Sequence, residues 1–127
     1  MMTKALPELK VRNKTINLPI IQGGMGIGLS SYSLAGAVAY EGGFGVLSSA
    51  GLDRLVSKRK GTKFNHREAA KLEVLDAREI SLGNGAIGMN IMVAVINSYE
   101  SSVLGSMDGG VDAIFSGAGL PFSLAEI

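Results

Sequence analysis

A glycine-rich loop follows a short apolar segment near the start of the chain. The segment 18–21 is apolar, Gln22 ends it, and glycines occupy positions 23, 24, 26 and 28. Because glycine carries no side chain, the backbone after a buried strand can approach a flat or anionic ligand closely. One such loop is a weak signal, but strand-to-glycine segments recur along this chain. The recurrence makes these loops candidates for a ligand site.

Amide and thioether side chains beside these loops are further candidates for ligand contact. Gln22 either donates a hydrogen bond to a ring carbonyl of a ligand or caps neighbouring backbone. Asn90 lies among Met, Ile and Val, where an unpaired buried amide costs about 1–3 kcal/mol. It is therefore either a core residue bonded to backbone or a ligand contact, and its position at a strand end favours the contact. Methionine more often fills core gaps than contacts a ring, so Met89 and Met92 are expected in the core.

Other catalytic chemistries lack the residues they need. The chain contains no cysteine, which excludes disulfides, thiolate catalysis and iron–sulfur clusters. Its single histidine, His66, is interpreted as structural or solvent-facing, and no serine lies in a nucleophile-elbow pattern. The acidic residues show no metal-ligand spacing: Asp112 is expected to cap or turn the chain, and the glutamates at 68, 73 and 79 to form a solvated helix face. The residues alone therefore predict no metal site and no catalytic side chain.

The glycine run is not a dinucleotide-binding fingerprint. It lacks Gly-x-Gly-x-x-Gly spacing, and although position 53 is an aspartate, the intervening predicted strand ends at Ser48. The fingerprint places its acidic residue about 20 residues further on, after a second strand. We therefore reject a Rossmann interpretation.

Length and composition indicate one globular domain without a nucleic-acid or membrane partner. The chain has 127 residues, 46% hydrophobic and 18% charged, and a net charge of +1. This charge argues against a nucleic-acid binder, and the basic residues within 54–63 are expected in a solvated loop. The first residues lack a signal-peptide core, and no apolar run reaches the roughly 20 residues of a membrane span. A cytoplasmic location is expected.

Apolar runs and helical stretches alternate along the chain. Near-continuous apolar strands between helices favour a parallel sheet, and repeating units of roughly 25–40 residues have the size of βα modules. We therefore predict an α/β fold in one domain, residues 1–127. Ser30 or Ser31 is expected to cap the first helix and Asn65 the second. The predicted elements are a hairpin at 10–17, strands at 20–22, 44–48, 86–93 and 111–115, helices at about 32–41, 67–81 and 97–107, and a polar connection at 49–65.

Four segments, in order along the chain, carry a family resemblance: PIIQGGMGIGLS at 19–30, LAGAVAYEGGFGVLSSAGL at 34–52, GMNIMV at 88–93 and GVDAIFSGAGLP at 110–121. Together they resemble the flavin-dependent nitronate monooxygenase family, formerly the 2-nitropropane dioxygenases. The related FMN-dependent enoyl-acyl-carrier-protein reductases share the same barrel. The resemblance implies a TIM-type barrel that binds FMN at the C-terminal ends of parallel strands. About four βα units, the N-terminal half of such a barrel, match this chain.

The resemblance also implies roles for individual residues. The loop that lies against the flavin ring matches Gln22, Gly23, Gly24 and Met25. The asparagine that contacts FMN matches Asn90. The loop that borders the substrate pocket matches Gly117, Ala118 and Gly119. The family's catalytic histidine and its phosphate-binding turns match no position of this chain, so no catalytic residue is assigned.

The implied activity is FMN-dependent oxidation of a nitronate-type small molecule with oxygen. The alternatives are the enoyl reductase activity, or an inactive fragment or half-barrel that needs a second half. Four strands would leave two open sheet edges and an uncovered apolar interior, which favours association. We therefore expect isolated chains to form homo-oligomers or aggregates, or to pair with a second half-barrel.

Overall fold

A short antiparallel hairpin begins the part of the chain that the structure describes. The structure is a computed structural model describing residues 5–127, so residues 1–4 of the predicted domain lie outside it. Strand β1, Leu9–Val11, pairs with strand β2, Lys14–Ile16, and Leu9 faces Ile16 in register. The hairpin buries Ile16 completely and places it under the main sheet.

Helices and strands alternate after the hairpin. Their bounds are α1 Tyr32–Tyr40, β3 Phe44–Ser48, α2 Leu52–Lys60, α3 His66–Ser81, β4 Ala86–Met92, α4 Ile96–Asp108 and β5 Ala113–Gly117, with a 3₁₀ turn at Leu124–Glu126. Strands β3, β4 and β5 form one sheet in that order, and both pairs are parallel. The predicted α/β class with parallel strands is confirmed. The three-stranded sheet is open and does not close into a barrel.

The predicted strand at 20–22 is reduced to a single parallel bridge between Ile21 and Phe44. The Gln22 side chain explains why the ladder stops. Its Oε1 accepts a hydrogen bond from Val46 N at 3.2 Å, and its Nε2 donates to Val46 O at 3.1 Å. The side-chain amide thus takes both backbone groups with which a longer strand would pair.

Helix α2 corrects the prediction of an irregular polar connection at 49–65. Leu52 and Val56 are buried on one helical face, with Leu55 packed beside them. Asp53 lies in the first turn and three basic residues in the last, which suits the helix dipole. Gly61, with a φ of 73°, ends the helix. The basic residues expected in a loop therefore lie largely on a helix.

Strand β5 lies two residues later than predicted, because polar positions continue the ladder. Ile91 pairs with Ser116 and Met92 with Gly117. The Ser116 hydroxyl contacts the Tyr99 hydroxyl of α4 at 2.9 Å, so its polar group is satisfied inside the fold. A serine and a glycine resemble loop residues in sequence, yet here they belong to the strand.

The helices cover one face of the sheet. Leu47, Ile87, Met89 and Ile91 point toward them, and the core includes buried alanines of α1 and α3. Met89 is buried as predicted, but Met92 is 39% exposed and does not belong to the core.

Helix α3 begins with the predicted Asn65 cap, which is confirmed. Asn65 Oδ1 accepts a hydrogen bond from Glu68 N, and Glu68 Oε2 accepts one from Asn65 N, each at 2.9 Å.

Glu73 corrects the prediction of a solvated glutamate face on α3. It is only 1% exposed, and its two oxygens accept hydrogen bonds from Tyr32 N and from Arg59, both at 2.7 Å. Arg59 also binds Asp76 at 2.8 Å and lies over the Tyr32 ring. Burial acts to lower the pKa of Arg59, but the hydrogen bonds and charges of Glu73 and Asp76 outweigh it and raise that pKa. The cluster joins α1, α2 and α3.

On the opposite face of the sheet, the hairpin covers the end at which strands β3 and β4 begin. Phe44 and Val46 are buried there with Ala86, and the hairpin packs against them. The Phe44 and Phe115 rings meet edge to face with centroids 5.5 Å apart. Gly88 lies beneath both rings: a Cβ on it would lie 2.7 Å from Phe115 and 2.8 Å from Phe44.

Within residues 5–127, no helix combines the length and apolar character needed to cross a membrane. Over the same residues, no group of three or more acidic or histidine side chains is arranged to hold a metal ion.

Candidate functional site

The C-terminal ends of β3, β4 and β5 meet at one edge of the sheet, which we call the carboxyl edge. Ser48, Asn90 and Phe115 are neighbours in register there, and Met92 faces Gly117. The glycine loop, residues 23–30, crosses this edge, and the Gly24 carbonyl accepts a hydrogen bond from Asn90 Nδ2 at 3.2 Å. Parallel strands thus bring segments far apart in sequence to one place.

Ser30 fixes the fold of the glycine loop. Its hydroxyl accepts hydrogen bonds from Met25 N at 2.7 Å and Gln22 Nε2 at 2.9 Å, and donates to Gly23 O at 3.0 Å. Its carbonyl accepts from Ser48 N at 3.0 Å, which ties the loop to β3. Ser30 is 2% exposed, so these bonds are shielded from water.

Ser30 was missed as a functional residue, because the sequence suggested only a helix cap. The residue at the N-cap position of α1 is Ser31, whose side chain makes no capping hydrogen bond. Glu73 instead accepts the hydrogen bond from Tyr32 N. A hydroxyl two residues after a glycine run is a weak signal for a loop-closing residue.

Gln22 has a structural role. Its side chain binds both backbone groups of Val46 and the Ser30 hydroxyl, and its Nε2 also contacts the carbonyl of Gly23. Of the two roles considered for Gln22, the geometry is that of a backbone cap. The side chain therefore positions the glycine loop against β3.

Asn90 has a free acceptor at the carboxyl edge. Its Nδ2 is used by Gly24, whereas within residues 5–127 its Oδ1 accepts no hydrogen bond. The residue is half-buried, and its side chain lines a cavity of about 430 Å³. Oδ1 can therefore accept a hydrogen bond from an N–H or O–H group of a bound molecule.

The cavity beside Asn90, called the larger cavity below, has the size of a small-molecule site, for which about 300–1,000 Å³ is typical. It is lined by Gly24, Gly26, Ile27, Ser48, Ser49, Ala50, Asn90 and Met92. Two of its glycines are required by packing: a Cβ on Gly24 would lie 2.5 Å from Asn90 Cβ, and one on Gly26 would lie 2.8 Å from Ala50 Cβ. Gly23 differs, because a Cβ there would meet no atom within 4 Å.

The other predicted site residues lie at the same edge but outside the cavity lining. Met25 is 50% exposed. A Cβ on Gly117 would be 3.5 Å from Asn90 Oδ1, so this residue adjoins the Asn90 side chain. Ala118 and Gly119 follow with φ values of 53° and 148°, and Gly119 packs against Val93. The carboxyl edge therefore gathers the predicted residues, with Gly24 and Asn90 at the cavity.

A smaller cavity of about 220 Å³ adjoins the larger one. The two share Ile27, Ser49, Ala50 and Met92. His66, at the start of α3, lines the smaller cavity, and its Nδ1 lies 3.6 Å from Asp53 Oδ1. No pattern in the sequence indicated this pair, because the segment that carries Asp53 was predicted as a polar connection.

The opposite edge of the sheet holds structural charges. Asp112 Oδ2 accepts from Ile87 N at 2.9 Å and pairs with Lys14 at 3.4 Å and Arg78 at 3.2 Å. Asp112 was expected to cap or turn the chain, and its carboxylate caps the backbone N–H of Ile87. Lys14 belongs to β2, so this cluster also fastens the hairpin to the sheet.

No protein-family model matches this chain, and no curated protein matches it. The assignment of a function therefore depends on the four sequence segments and on the geometry of the carboxyl edge.

Proposed function

We propose that this chain forms part of an FMN-binding βα barrel and serves flavin-dependent oxidation of the nitronate monooxygenase type. The observation that carries the proposal is the meeting of Gly24 and Asn90 at a cavity on the carboxyl edge of a parallel sheet. In βα barrels, active sites lie at this end of the strands, whereas the opposite end contributes to stability. The charge cluster around Asp112 agrees with that division.

The residues at the carboxyl edge fit a flavin ring. Asn90 Oδ1 offers an acceptor for a ring N–H group, and Gly23 leaves its side of the loop open. Met92, 39% exposed in the cavity lining, offers a soft surface for a flat ring. None of the residues lining this cavity is basic, so the FMN phosphate would have to be held elsewhere.

When bound, FMN would supply the electron acceptor for oxidation of a small substrate. The chain's own residues would hold the flavin ring in place. Asn90 is held by Gly24, and the loop carrying Gly24 is held by Ser30 and Gln22. Ile27 and Met92 give the cavity apolar surface against which a flat ring could pack. A site built this way fixes its ligand contacts before the ligand arrives.

The proposal is tested by adding FMN to the purified chain and following quenching of flavin fluorescence. We expect saturable binding that Asn90→Ala weakens by about tenfold, the effect of losing one hydrogen bond of roughly 1.4 kcal/mol. Asn84→Ala is the matched control, because Asn84 lies at the opposite edge, where its Nδ2 binds Tyr40 O at 3.0 Å. Absence of binding, or equal binding by Asn90→Ala, would overturn the proposal. Rapid bleaching of the bound flavin by reduced nicotinamide would favour the enoyl reductase alternative.

The barrel itself is part of the proposal. Strand β5 forms one edge of the sheet, and all five of its residues are half-exposed. At the other edge, beside β3, Ile20 and Ile21 are 54% and 49% exposed. Further strands would pair with these edges and cover the face that carries Phe115. Isolated chains should therefore associate with one another, and sedimentation velocity should find dimers or larger species. A monomer at micromolar concentration would contradict this part of the proposal.

A further inference from the structure

Met92 is a methionine that combines access from solvent with a place in the candidate site. It ends β4, is 39% exposed, and lines both cavities of the carboxyl edge. Met25, Met89 and Met107 line neither cavity. Met89, on the same strand, is completely buried, whereas Met107, near the end of α4, is 57% exposed. A reagent in solution therefore reaches Met92 but not Met89.

The position of Met92 in the sheet explains its exposure. Its register partner on β5 is Gly117, which has no side chain to cover the thioether. Asn90 lies two residues earlier on β4 and points to the same face, because alternate residues of a strand share a face. Both side chains line the larger cavity. A reagent that reaches Met92 through this cavity enters the space that a ligand of Asn90 would occupy.

Hydrogen peroxide is a reagent that converts a thioether into a sulfoxide. One peroxide oxygen bonds to the sulfur, the O–O bond breaks, and the other oxygen leaves with both protons as water. The sulfur is oxidised by two electrons and the peroxide is reduced by two. The product, methionine sulfoxide, is polar where the thioether was apolar. Peroxide is also the two-electron reduction product of oxygen, which the proposed reaction consumes at this edge.

We propose that Met92 is an oxidation site that controls ligand binding at the carboxyl edge. A flat ring packed on the sulfoxide would cover its oxygen atom and separate it from water. A buried polar group without a partner is costly enough to weaken binding at least about fivefold. Because reductases convert the sulfoxide back to the thioether, the change is reversible. The effect on FMN rests on the proposed function, whereas the oxidation of Met92 does not.

Treating the full chain with hydrogen peroxide tests the oxidation site without any flavin. Peptide mass spectrometry follows the added oxygen atom on each methionine over time. We expect sulfoxide at Met92 in the period in which the exposed Met107 is oxidised, while the buried Met89 stays reduced. A Met92 that remains reduced after Met107 is fully oxidised would overturn the proposal.

FMN titrations before and after peroxide treatment test the control of binding. Quenching of flavin fluorescence should show at least fivefold weaker binding by the treated wild type, and methionine sulfoxide reductases should restore it. Met92→Leu removes the sulfur and keeps an apolar side chain of similar volume, so peroxide should not change its affinity. Met107→Leu is the matched control, because it keeps Met92 and should lose affinity as the wild type does. An equal loss in Met92→Leu would refute the role of Met92.

The outcome is separable from that of the proposed function. A chain that binds no FMN overturns the flavin assignment, and the mass spectra alone then decide whether Met92 is an oxidation site. FMN affinity that a sulfoxide at Met92 leaves unchanged would overturn this inference, and the flavin assignment would stand. Circular dichroism separates a structural effect: loss of the spectrum in treated wild type but not in treated Met92→Leu would also overturn the control of binding.

Discussion

Removing the Ser30 hydroxyl should destabilise the protein strongly for so small a change. Ser30→Ala deletes three hydrogen bonds, those with Met25 N, Gln22 Nε2 and Gly23 O. Each is worth about 0.5–1.5 kcal/mol net, and the site is almost completely buried, so we expect a loss of about 2–4 kcal/mol in the free energy of unfolding. That is a large part of the 5–15 kcal/mol typical of a domain.

The assay is urea unfolding followed by circular dichroism. The midpoint should fall while the slope of free energy against urea stays constant, because the change alters stability without altering the surface exposed on unfolding. Ser33→Ala is the matched control: Ser33 is exposed, its hydroxyl contacts only that of Ser31 among the described residues, and its loss should cost less than about 0.5 kcal/mol. Equal midpoints for the two variants would refute the role given to Ser30.

Two further predictions concern charges on the helices. Glu73→Ala should lower the free energy of unfolding by about 3 kcal/mol, because it removes one member of a buried ion pair, although Arg59 keeps Asp76 as a partner. Urea unfolding measures the change, and Glu79→Ala is the control, because Glu79 is exposed and its loss should change the free energy of unfolding little. A hydrogen bond from Arg67 holds the pKa of Asp108 below its usual 3.8, against the opposing effect of burial and with Coulombic contributions from Arg67 and Lys71. Since the pKa of Asp108 is lower in the folded state, the pair stabilises the fold fully at pH values above the unfolded-state pKa. This stabilisation is lost as the pH falls through the folded-state pKa. The stability difference between wild type and Asp108→Asn, measured by thermal unfolding between about pH 6 and about pH 3, should therefore shrink toward acid; a difference that grows toward acid would contradict this.

The sequence predicts an element best where all the residues that define it lie within one short segment. The segment 44–48 is apolar up to Ser48 and is found as β3, and Asn65 with Glu68 forms the predicted cap. Helix α2 escaped prediction because only Leu52, Leu55 and Val56 mark its buried face, and the rest of its length is polar. A short helix with so narrow an apolar stripe cannot be told from a solvated loop by periodicity.

The details of the candidate site depend on partners that sequence does not reveal. Gln22 caps Val46, and Glu73 is buried because Arg59 from another helix reaches it. Ser30 acts through backbone groups, which have no signature in the sequence. By contrast, the grouping of Gly24 and Asn90 could be anticipated, because the ends of parallel strands necessarily share an edge.

The edge-to-face contact of Phe44 and Phe115 across the middle strand has a geometric consequence. Their strands, β3 and β5, are separated by β4 and so stand about 9.6 Å apart. The ring centroids are only 5.5 Å apart, which means that the side chains converge above Gly88. The absence of a Cβ at position 88 is what lets the two rings meet over β4, on the face of the sheet that also carries the Asn90 side chain.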